Sequence, residues 1–108
     1  MFNLFRTKPD TYQNIKADEF RELHARKDTV ILDVRTAQEH ASEAIPKSIH
    51  IDFLNPGFES ELERLDKSKT YLVYCRSGNR SAKACTIMGD MGFAHLYNLS
   101  GGIGAWKS

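Results

Sequence analysis

The stretch Tyr71-Leu72-Val73-Tyr74-Cys75-Arg76-Ser77-Gly78-Asn79-Arg80-Ser81 decides how this chain is read. An apolar and aromatic run with strand character delivers one cysteine into a short polar loop holding two arginines and a glycine. A helical pattern follows at once, from Ser81 to about Met91, and stops at Gly92, a residue suited to the position just past a helix end. Backbone N–H groups of such a loop can point inward, and the helix start adds unpaired donors and a positive dipole end. Arg76 and Arg80 place two further positive charges beside the sulfur. Each effect favours thiolate over thiol, so Cys75 is expected to titrate low and to act as a nucleophile at neutral pH from a partly exposed, electropositive site. The same cradle suits an anion resting on that sulfur.

Working outward, short apolar runs alternate with helical stretches. Residues 12–15 read as a first strand, and Asp18 as the N-cap of a helix over 19–26, on which Phe20, Leu23 and His24 share a face. Residues 29–34 form a nearly continuous β-branched run, the pattern of a strand buried on both faces. Thr36 reads as the N-cap of a short helix through Ala44, stopped by Pro46. A third strand over 48–51, the turn Asn55-Pro56-Gly57, a helix over 58–65 and a last strand over 94–99 complete the alternation. This order predicts an α/β fold with a parallel sheet of about five strands and helices on both faces. In such sheets the binding crevice lies at the carboxyl ends of the strands, where Cys75 is placed.

A chain of 108 residues with 41% hydrophobic and 27% charged content is an ordinary single globular domain. We read 1–10 as an N-terminal extension and 11–108 as the domain. The net charge of +1 provides no general attraction for nucleic acid or membranes, so any anion binding must be local. Two cysteines make no disulfide framework, no run has the length of a membrane span, and the opening residues lack a signal-peptide core. A cytoplasmic protein, monomeric or weakly dimeric, is expected. His24, His40, His50 and His95 are scattered, so neither a metal site nor a cofactor is expected. His50 near a strand end is read as a packing residue.

Three segments carry a family resemblance. The loop Cys75-Arg76-Ser77-Gly78-Asn79-Arg80 resembles the six-residue active-site loop of the rhodanese (thiosulfate sulfurtransferase) family. Ile31-Leu32-Asp33-Val34-Arg35, with Glu39 and Ile45-Pro46, resembles that family's first signature, and Gly101-Gly102-Ile103-Gly104-Ala105-Trp106 its second. They stand in family order across positions 31–106. The chain departs from the pattern at Glu43-Ala44 and Lys47, outside the active loop. The resemblance implies a three-layer rhodanese-like fold and sulfur transfer through a persulfide on Cys75. A small anionic sulfur donor such as thiosulfate would load it, and cyanide, a thiol or a sulfur-acceptor protein would unload it.

Arg76 and Arg80 are expected to grip a doubly charged donor, with Ser77, Gly78 and Asn79 shaping the loop and Gly78 supplying a backbone angle other residues resist. Ser81 is either a helix cap or an extra donor to the sulfur, with the cap favoured. Asp33, Arg35 and Glu39 are expected to support the loop from below through ion pairs. Cys85 is read as a small core residue rather than a resolving thiol. Gly101, Gly102 and Gly104 lack the dinucleotide spacing and a following helix, and are read as a turn that lets Trp106 pack. Two other functions stand beside sulfur transfer: a non-enzymatic persulfide carrier, and a cysteine phosphatase or arsenate reductase. The latter's loop carries five residues between cysteine and arginine, where this chain has four.

Overall fold

In the computed structural model, which describes residues 11–108, strand and helix alternate throughout. The expected extension over 1–10 lies outside the described residues. In chain order the elements are β1 (Gln13–Ile15), α1 (Ala17–His24), β2 (Thr29–Asp33), α2 (Ala37–Ser42) and β3 (Ser48–His50). There follow α3 (Phe58–Leu62), β4 (Thr70–Tyr74), α4 (Asn79–Asp90), β5 (His95–Leu99) and α5 (Gly102–Lys107). The five strands form one parallel sheet in the order β1-β5-β4-β2-β3, as the alternation predicts.

Side chains of a strand alternate between the two faces of its sheet, and the central strands use both. From β4, Tyr71 and Val73 join Leu32 in a core with Phe58, Leu62, Cys85 and Met88 of α3 and α4. Leu72 and Tyr74 point the other way, meeting Ile31, Phe20 of α1 and Ile103 of α5. Tyr71 to Tyr74 are all at most 1% exposed, which explains why this run carries no polar alternation. Burying each such side chain contributes about 1.5–3 kcal/mol, so a charge at Leu72 would break the α1/α5 layer.

Short-range signals agree with the structure most closely. Thr36 caps α2 as expected, its Oγ1 accepting from Glu39 N while the Glu39 carboxylate accepts from Thr36 N, a full capping box. The helix ends at Ser42, however, because Glu43 turns extended well before Pro46. Asp18 does not cap α1: the N-cap is Lys16, without a side-chain bond, and Asp18 and Glu19 instead sit in the first turn, where negative charge suits the dipole. Helix α3 stops at Leu62 rather than 65. Past Gly92 the Phe93 N–H returns to Met88 O at 3.1 Å, closing the end of α4.

The glycine-rich tail departs from expectation. It carries the short helix α5, and Trp106 on it packs edge-on against Phe20 at 5.8 Å and tilted against His24 at 5.2 Å. The packing of Trp106 is as predicted; the helix is not.

Candidate active site

Cys75 stands directly after β4, at the carboxyl edge of the sheet. Three donors converge on its sulfur: Gly78 N at 3.1 Å, Ser81 Oγ at 3.3 Å and Ser81 N at 3.4 Å. The chain achieves this because Gly78 takes a φ of +104°, in the left-handed region where a side chain is disfavoured. That twist starts α4 at Asn79, two residues earlier than the sequence pattern suggests. Ser81 is therefore no cap. It lies inside the first turn, fully buried, with both its N–H and its hydroxyl aimed at the sulfur.

Cys75 is only 1% exposed, against the expectation of a partly open thiol. Burial pushes its pKa up, yet hydrogen bonds from the Ser81 hydroxyl, then from the backbone N–H groups of Ser81, Gly78 and Ser77, outweigh that and hold the thiol below its ordinary value. The loop's own donors thus lead in lowering it, ahead of the arginines. Cys85, on the next helix and fully buried, goes the opposite way: burial, with the nearby Cys75 charge, pushes its thiol up to about 12. It behaves as the core residue expected.

The two arginines part company. Arg80 turns from the loop and bonds Glu39 through both amino groups, at 2.9 and 3.2 Å. That fork, with the capping contacts from Thr36, holds the Glu39 carboxyl down to about 2. Arg80 still senses the sulfur, since the Cys75 charge helps to hold it protonated. Arg76 is exposed and, among the described residues, has no ion-pair partner. Ser77 and Asn79 are exposed as well.

Beneath the neighbouring β2 edge, Asp33 is completely buried and fully paired. It accepts from Arg35 Nε at 3.0 Å and Nη2 at 2.8 Å, from the Arg35 N–H, and from the Tyr74 hydroxyl at 3.1 Å. Burial alone would raise its pKa; Arg35 first, and His40 after it, bring it below the ordinary carboxylate range. Arg35 Nη2 also donates to Glu43 O at 2.6 Å. A buried pair of this kind persists only because its remaining lone pairs and protons are satisfied.

The second glycine segment locks the loop from outside. Ile103 N donates to Cys75 O at 3.0 Å, and a Cβ on Gly102 would stand 2.2 Å from Arg76 O. Gly102 is thus required by close approach as well as by its φ of +64°.

Several participants carry little signal in the sequence. The Tyr74 hydroxyl ties Asp33 to Ile45 N and Ser48 Oγ, although Tyr74 reads as one more apolar strand residue. His40 and His50 stack at 4.7 Å, His40 against Asp33 at 2.8 Å and His50 donating to Arg35 O at 2.7 Å. Asn98, 3% exposed, donates to Gly78 O at 3.2 Å and Asn14 Oδ1 at 2.9 Å. A polar residue interrupting the apolar pattern of β5 was the available signal there.

Comparisons with known proteins fit this geometry. The Rhodanese-like domain family matches residues 16–108. The thiosulfate sulfurtransferase GlpE of Coxiella burnetii is 33% identical over 97 residues, covering 90% of this chain and 89% of that protein. A sulfurtransferase of Allochromatium vinosum is 38% identical over 80 residues, covering 73% and 72%. The crystal structure of a rhodanese-like domain protein from Staphylococcus aureus superposes with a TM-score of 0.76 at 32% identity, covering 87% of this chain and 90% of that one. With a family match across most of its length and the five-stranded parallel sheet to go with it, this chain belongs to the rhodanese-like domain family.

Proposed function

We propose that the protein is a sulfurtransferase that carries a sulfane sulfur on Cys75, with thiosulfate as a donor. The observation that carries this reading is the convergence of three donors on one buried sulfur. A thiolate held in this way needs no separate general base. It attacks the outer sulfur of thiosulfate; the S–S bond of the donor breaks, and sulfite departs with the bonding pair. The product is a persulfide on Cys75. Cyanide or a thiolate then attacks the terminal sulfur, the bond to Sγ breaks, and its electron pair returns to Cys75. The loop donors that hold the thiolate at rest also stabilise it as the leaving group of this second step. The GlpE relative bears the name of this activity.

The loop arginines share the donor's charge unequally in this scheme. Arg76 meets the sulfite end, and Arg80, braced by Glu39, contributes through its field. A phosphatase reading is disfavoured by the four-residue spacing and by the occupied Arg80 fork. We place the protein in a reducing compartment such as the cytoplasm, where the thiol stays free; among the described residues no helix is long and apolar enough to cross a membrane.

Intact-mass measurement tests the proposal. Thiosulfate should add one sulfur atom, and a cyanide chase should remove it as thiocyanate, in the native protein and not in Cys75→Ser. Equal thiocyanate production by a folded Cys75→Ser protein would refute it. Repeated turnover with excess thiosulfate distinguishes a free-standing enzyme from a carrier, which would transfer a single sulfur to a partner.

A further inference from the structure

The turn on which the sulfur's donors depend is tethered from outside the loop. A glycine has the widest backbone freedom of any residue, so the left-handed φ of +104° at Gly78 must be held by contacts. Gly78 O accepts twice: from Ala82 N at 3.1 Å, the first helical bond of α4, and from Asn98 Nδ2 at 3.2 Å. The first bond is local. The second comes from β5, twenty positions later in the chain. Asn98 Nδ2 also donates to Asn14 Oδ1 at 2.9 Å, the register of β1 with β5 setting the two asparagines side by side. Contacts thus run from Asn14 through Asn98 to Gly78, whose N–H reaches the sulfur at 3.1 Å.

Stability does not account for an asparagine at this position. Asn98 lies level with Val73 of β4, on the sheet face that packs with Leu96, Cys85 and Met88, where an apolar side chain is expected. It is 3% exposed, and its Oδ1 is buried with no hydrogen-bond partner among the described residues. An orphaned acceptor of this kind is a standing cost to the fold. Turning the amide over would not remove the cost, since Oδ1 would then oppose Gly78 O, acceptor against acceptor. The fold carries it at the β5 position whose side chain reaches the glycine carbonyl.

We propose that Asn98 is a positioning residue for Cys75: its amide, oriented by Asn14, fixes the Gly78 turn and thereby aims the Gly78 N–H at the sulfur. It acts through the turn and not on the sulfur, so it is no catalytic group. With the tether lost, Gly78 samples other backbone angles and its N–H spends less time on Sγ. Desolvation of the buried thiolate is then less well offset, and the thiol titrates higher. The consequence for sulfur transfer rests on the persulfide proposed at Cys75; the effect on the thiol does not.

Iodoacetamide alkylation of the full chain as a function of pH reads the thiol directly. Asn98→Ala should move the inflection up by about half a unit, the share of one neutral hydrogen bond made less often. Asn14→Ala, at an exposed position, should move it the same way by less, because Asn98 keeps its bond to Gly78 but loses the acceptor that orients it. The double variant should match Asn98→Ala alone, since Asn14 acts only through Asn98. Leu96→Val, on the same face of the same strand, should lower the thermal midpoint and leave the inflection in place. A shift in Leu96→Val equal to that in Asn98→Ala would show a general loosening of β5 and overturn the proposal. So would an unchanged inflection in folded Asn98→Ala or, should that variant not fold, in Asn14→Ala. Thiosulfate loading of the native protein is followed separately by mass: its failure would overturn the sulfur-transfer reading, while the titrations still decide the role of Asn98.

Discussion

Replacing Ser81 with Ala removes the hydroxyl that reaches the Cys75 sulfur at 3.3 Å and leaves the backbone donors of Gly78 and Ser81 in place. That hydroxyl leads the contributions that lower the thiol pKa. A hydrogen bond to a charged acceptor is worth about 1.5–3 kcal/mol, and its length here argues for the lower end. At 1.36 kcal/mol per unit, the thiol pKa should rise by about one unit. The direction follows from burial: with fewer donors, desolvation of the thiolate is less well offset. Below the thiol pKa the thiolate fraction then falls about tenfold, while the more basic sulfur is roughly threefold more nucleophilic, so alkylation slows about threefold. The assay is the iodoacetamide alkylation rate as a function of pH, with intact mass confirming a single modified site. Cys85 stays silent, being fully buried with its thiol pushed up to about 12. An unchanged inflection, in a variant whose thermal midpoint shows an intact fold, would refute the reasoning and assign the thiolate to the backbone cradle alone.

Other consequences can be checked in the same material. Cys85→Ala should still load sulfur from thiosulfate, and should lose about 1 kcal/mol in urea unfolding from the small cavity left in the core; loss of loading in a folded protein would reinstate a resolving role. Glu39→Gln should cost about 1–2 kcal/mol at neutral pH, since the Arg80 pair is partly exposed and so partly screened. Because the Glu39 pKa is depressed from 4.5 to about 2, this stabilisation is full above pH 4.5 and fades as pH falls towards 2. Urea titrations of both proteins at several pH values should therefore converge in acid, and a constant difference would contradict the pairing. Gly102→Ala should destabilise by about 2 kcal/mol or more and impair loading together, because its Cβ would push on Arg76 O, 2.2 Å away, at a left-handed φ. A variant as stable and as readily loaded as the native protein would mean that the loop is not held from that side.

Much of the protein is legible in the residues because the deciding interactions are local. The unbroken apolar and aromatic run 71–74 suits a strand covered on both faces, and strands of that kind alternating with helices favour parallel pairing, as β4 shows with β2 and β5. Thr36 and Glu39 close their capping box within one turn, so it can be read directly. The loop from Cys75 to Arg80, with a glycine before a helix, is sufficient to place the cysteine sulfur among backbone donors. What escapes depends on partners that only the sheet order brings together. Arg80 reads as facing the sulfur, but the fold sets it against Glu39, forty-one positions earlier in the chain. Ser81 passes for a cap because nothing in its neighbours reveals that the left-handed turn at Gly78 lets α4 begin at Asn79. The pairing of β2 with both β3 and β4 sets Asp33 level with His50 and Tyr74, and this is what assembles the buried network. The near-complete burial of Cys75 likewise follows from α4 and the Gly102–Ile103 segment closing over the loop, contacts that no local pattern encodes. The donor cradle around the Cys75 sulfur is thus a property of a dozen consecutive residues, whereas the burial of that sulfur and the commitments of the charges around it are properties of strand order and register.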